Sequence, residues 1–118
     1  MEMCRTYEHF RYLMILEKRL KFSLRNVIES CSSKISAGKP SEIVLGDLVI
    51  AQLVLEKLMK VREMLYGVEA RKKIEKLLDD VRKKILDLEE AGNWKEINAI
   101  YAEVKNFLNK CSSFLKNL

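Results

Sequence analysis

Near the start of the chain the apolar residues Leu13, Leu16, Leu20, Leu24, Val27, Cys31 and Ile35 recur at steps of three and four. That spacing places them on one face of a helix and predicts a first helix over about residues 6–33, with Thr6 as its N-cap. At about 100° per residue, Tyr12, Ile15 and Phe22 fall on another side, among Arg11, Lys18, Arg19 and Asn26. One helix therefore carries apolar residues on two faces, more than a single core stripe requires.

The stretch SSKISAGKP, residues 32–40, is small and polar and contains Gly38 and Pro40, so it reads as a surface loop. It is not a phosphate-binding loop, because Gly38-Lys39 is followed by proline where Ser or Thr would be needed. A second helix is predicted over about 42–66, starting at Ser41 or, if Gly46 breaks it, at Asp47, and ending before Gly67. Its segment DLVIAQLVLEKLM is apolar on almost every side, as expected of a helix that is central to the fold or shared with a partner.

A third helix, about 69–91, has Ile74, Leu77, Val81, Ile85 and Leu88 as its stripe. Continuing the stripe of the second helix past Leu58 and Leu65 would land on Glu69, Lys72 and Lys76, so the apolar side jumps at Gly67, as a helical hairpin requires. Gly92 is placed to end the third helix, while Asn93 with Glu96 forms a capping-box pair for a fourth over about 94–117. There Trp94, Ile97, Tyr101, Val104, Leu108, Cys111, Leu115 and Leu118 follow alternating steps of three and four, a sustained heptad. Ile100, Phe107 and Phe114 widen that face. The pattern predicts an all-α protein: one domain over residues 1–118, an antiparallel four-helix bundle with a heptad-patterned C-terminal helix.

Composition agrees. The 118 residues suit a single core, and 4 Gly and 1 Pro are too few to turn many short strands. The most apolar run, Ile43 to Leu55, is interrupted by Gly46 and Asp47 and is shorter than the roughly 20 residues a membrane span needs. With no signal-like pattern in its first residues, the chain is expected to be cytoplasmic, without a membrane role. Cys4, Cys31 and Cys111 are odd in number and lack metal-ligand spacing, so they read as reduced core thiols. Cys31-Ser-Ser and Cys111-Ser-Ser are not expected to bond to each other, and the pair that could share a pole is Cys4 with Cys111.

Charge singles out two stretches. Residues 70–91 read as two similar lines, ARKKIEKLLDD and VRKKILDLEEA, whose repeated Arg-Lys-Lys resembles a phosphate grip. Yet residues 69–90 hold seven basic and seven acidic side chains at helical neighbour spacing, among them Arg71 with Glu75 and Asp80 with Lys84. A solvated, ion-paired face is the expectation there. The net charge of +5 lies mainly in residues 1–40, where 8 Lys+Arg against 4 Asp+Glu leave +4. On the first helix Arg11, Lys18, Arg19, Lys21 and Arg25 interleave with Tyr12 and Phe22, a candidate set of nucleic-acid contacts.

For catalysis the inventory is thin: His9 is the only histidine, and no nucleophile, base and oxyanion site assembles, so no catalytic residue, metal site or cofactor is expected. Glu17, at the margin of the first stripe, is expected to reach solvent or a neighbouring Arg. The functional expectation is a non-enzymatic assembly or adaptor protein acting through protein–protein contact as a homodimer or with another protein. Its candidate surfaces are Tyr12, Ile15 and Phe22 on the first helix and Val49, Ile50, Leu53 and Val54 on the second. The alternative is nucleic-acid binding through the basic face of the first helix.

Overall fold

The computed structural model describes the backbone of residues 2–118 and the side chains from Tyr7 onward. Four helices account for it: α1 Glu2–Ser36, α2 Ser41–Tyr66, α3 Glu69–Glu90 and α4 Trp94–Lys116. α1 and α3 each pack on both α2 and α4, which closes a four-helix bundle 60 Å long and 23 by 22 Å across. The α1–α2 pairing is antiparallel, since Glu17 meets Arg62 while Ser30 meets Asp47.

The apolar stripes form the core. Leu24, Leu48, Leu55, Leu58, Ile74, Val81, Val104 and Phe107 are all fully buried. Ile28 and Leu78, one position away from the stripes the spacing defines, are buried with them. Trp94 is the exception: it opens the heptad row but stays half-exposed. Tyr101 already reaches Lys39 in the loop after α1, so Trp94, two turns nearer the start of α4, lies past the end of α1, which leaves about half of it uncovered.

Helix boundaries differ from the sequence expectation where core contacts overrule local composition. α1 is already helical at Glu2, so Thr6 does not cap it, and it continues through Ser36, so SSKIS is helix rather than loop. Cys31 and Ile35 are both core residues, and burying them holds the last turn in place. The link shrinks to residues 37–40. Gly38 takes φ 67°, a left-handed conformation that favours glycine, and the Gly38 and Lys39 N–H groups donate back to Ile35 and Lys34. The Tyr101 hydroxyl donates to the Lys39 carbonyl at 2.7 Å and fastens this link to α4.

Gly46 does not break α2, which starts at Ser41. Gly67, at φ 92° with its N–H on the Glu63 carbonyl, ends that helix and makes the hairpin to α3. α3 is capped by extended Ala91, not by Gly92. Gly92 instead donates its N–H to Glu96 Oε2 at 2.7 Å, while Asn93 Oδ1 accepts from the Glu96 N–H at 2.9 Å. The capping pair is thus present, its carboxylate reaching back one residue further than in the usual box.

Two buried charge clusters join α1 to α2. Glu17 is only 6% exposed, and it accepts from Arg62 at 2.7 Å with Lys21 at 3.5 Å. The Arg62 guanidinium lies 4.8 Å from the Tyr66 ring centre, and its Nε has no hydrogen-bond partner among the described residues. Near the other end of the pair, buried Asp47 accepts from Ser30 at 2.9 Å and is paired with Lys34 at 3.0 Å. Each acid satisfies a polar position inside a helix–helix seam.

Candidate interaction surfaces

Four of the six cations in the repeated Arg-Lys-Lys of α3 are engaged by carboxylates, while Lys73 and Lys83 form no ion pair among the described residues. Arg71 pairs with Glu75 at 2.6 Å and Glu63 at 3.2 Å, and these partners hold its guanidinium more firmly charged than usual. Lys72 pairs with Glu69, and Arg82 reaches Glu56 on α2. Lys84 turns inward between Asp80 and Glu103 of α4. Arg71, Arg82 and Lys84 close the α2–α3–α4 seams, and a phosphate backbone would have to displace their partners.

On α1 the second apolar side stands clear of the bundle. Phe22 is 63% exposed, and Tyr12 and Ile15 are also open. Ile15 and Phe22 are seven residues apart, two turns along one line, and Arg11, Lys18 and Arg25 repeat at the same interval beside it. Arg11, Lys18, Arg19 and Arg25 are exposed, and none forms an ion pair among the described residues. Lys21 differs: it is half-buried and turned onto Glu17, so it belongs to the α1–α2 seam and not to the open basic face. Tyr7, Phe10 and Met14 are also open, the first two on the part of α1 that runs past the end of α2.

On α2 the face away from α1 and α3 is apolar and open over its first half. Ile43, Val49, Ile50 and Leu53 are each 42–51% exposed. Val54 is half-buried and packs against the core, so it supports this face from beneath and is not part of it. In the middle of the set lies Gly46, exposed and helical, with nothing within 4 Å of where a Cβ would stand. Spacing alone left its role unread, because an isolated glycine in an apolar helix signals a break as readily as a contact.

The two thiols whose side chains are described, Cys31 and Cys111, are free and buried. Burial pushes each up to about 12, so both stay protonated near neutrality and are poor nucleophiles. The pairing of Cys4 with Cys111 involves a side chain outside the described residues. Burial likewise raises the Tyr101 phenol, in keeping with its role as a hydrogen-bond donor to Lys39. Among the described residues no helix is long and apolar enough to cross a membrane.

Comparison with protein-family models, curated proteins and solved structures finds no match. The surfaces of the bundle therefore carry the functional reading.

Proposed function

We propose that the chain is a non-enzymatic assembly module that works through protein–protein contact and associates with itself. The observation that carries this reading is the cluster of Ile43, Val49, Ile50 and Leu53 on the outer side of α2, neighbouring aliphatic side chains left roughly half-exposed by their own bundle. Contiguous apolar surface of this kind is what a partner covers, and an isologous dimer is the commonest arrangement that does so. Light scattering after gel filtration, at physiological salt with reductant, is expected to give twice the 13.8 kDa chain mass. A mass that stays at one chain through the highest soluble concentration rejects self-association.

A second reading, nucleic-acid binding, is favoured by the four α1 cations that lack carboxylate partners among the described residues and stand around exposed Phe22 and Tyr12. It requires affinity for a single-stranded oligonucleotide that falls steeply with salt and is lost on Arg19→Glu with Arg25→Glu. Binding indifferent to both excludes it.

A further inference from the structure

We infer that the outer face of α2 pairs with the same face of a second copy, antiparallel about a two-fold axis, with Leu53 of the partner subunit seated on Gly46. This rests on the self-association proposed above and assigns its surface and register. Gly46 supplies the first argument. In the middle of a helix a glycine is less favourable than alanine by about 1 kcal/mol, and here its backbone dihedrals need no glycine and a methyl group would meet nothing. No contact among the described residues accounts for it. A second helix approaching closely over the bare backbone would account for it.

Helical geometry then fixes what faces what. At about 100° per residue, Gly46 and Leu53 lie within a few tens of degrees of each other on the exposed face, two turns apart. In a two-fold antiparallel pair centred midway between them, Leu53 of each copy lies over Gly46 of the other, and Val49 and Ile50 straddle the axis. The midpoint of Gly46 and Leu53 is also the midpoint of Glu42 and Lys57, so the same register sets Glu42 of each copy across from Lys57 of the other. Glu42 and Lys57 are exposed, and neither forms an ion pair among the described residues. The face is thus complementary to itself in shape, and in charge at positions 42 and 57, although the same register also brings exposed Lys60 toward Lys39 at the edge of the contact.

The open face of α1 lacks this property. An antiparallel pair centred between Ile15 and Phe22 would set Lys18 against Arg19 and Glu8 against Glu29, two like-charged pairs, with Arg11 and Arg25 facing the neutral Asn26 and Tyr12 and no opposite charges matched. That contrast selects α2 as the self-pairing surface.

The test is a set of dimer dissociation constants from sedimentation equilibrium, with folding checked by circular dichroism and urea unfolding of dilute protein. Gly46→Ala is expected to make the dilute monomer more resistant to urea, because alanine favours the helix and has room. It is also expected to raise Kd by about tenfold or more, because the methyl group displaces the partner's Leu53. Glu42→Lys and Lys57→Glu should each raise Kd roughly threefold to tenfold, and the double exchange should restore it. If the wild-type chain is a dimer whose Kd is indifferent to all of these, this surface and register are overturned while self-association stands. If the wild-type chain is a monomer throughout, both fail.

Discussion

Replacing Arg62 with methionine is expected to lower the unfolding free energy by about 3 kcal/mol, seen as a lower urea midpoint at unchanged slope. The cause is the acid left behind. Glu17 sits inside the α1–α2 seam, and without the 2.7 Å bond from Arg62 its remaining ion-pair partner among the described residues is Lys21 at 3.5 Å. Lys21 is itself largely covered, and its continued presence holds the loss near the lower end of the range for a broken buried pair. Exchanging both partners, Glu17→Met with Arg62→Met, should regain most of the loss, because an apolar seam needs no compensation for a desolvated charge. A single replacement costing less than about 0.5 kcal/mol would show that Glu17 is hydrated and not held by Arg62.

Phe107→Ala should cost about 3–5 kcal/mol by the same unfolding measurement. Phe107 is among the largest fully buried side chains, and it occupies a close-packed interior where truncation leaves a cavity the neighbours fill only in part. The informative control is Trp94→Ala. Tryptophan is the larger residue and stands in the heptad row, yet at 52% exposure its truncation should change stability by less than about 1 kcal/mol. Equal losses at the two positions would contradict the burial described for α4.

These two sites also show what the sequence made legible. Helical period assigns a direction around each helix, and it placed Leu24, Leu58, Val81 and Val104 correctly in the interior because direction alone decides their fate. Trp94 was misjudged because burial also depends on how far the neighbouring helix extends, and period carries no information about length. Phe107 belonged only to a secondary row by spacing, although it is one of the most deeply buried side chains.

Glu17 was legible as a margin residue that would find an arginine, but its depth was not, since Arg62 is 45 positions away and their meeting depends on how α1 and α2 slide into register. Asp47 is legible as an interruption of an apolar run and as an alternative start of the second helix, but not as a buried partner of Ser30 and Lys34, for the same reason. Among the candidate contacts, Tyr12, Ile15 and Phe22 are brought together on one open face, whereas Lys21 and Val54 turn toward the interior seams. Each sits at the border of its face, where a few tens of degrees decide between solvent and neighbour.

The placement of the two buried acids has a mechanical consequence. Glu17 meets its partner near one end of the α1–α2 contact and Asp47 near the other, so the two helices are pinned at separated points. Sliding one past the other by a single turn would unseat both acids together, which makes shear of this pair far harder than either contact alone would suggest. The α1–α2 pair thus behaves as a stiff beam. Were the self-association proposed above to use its outer side, the second copy would meet a surface whose shape is set in advance, and little of the association energy would be spent on ordering it.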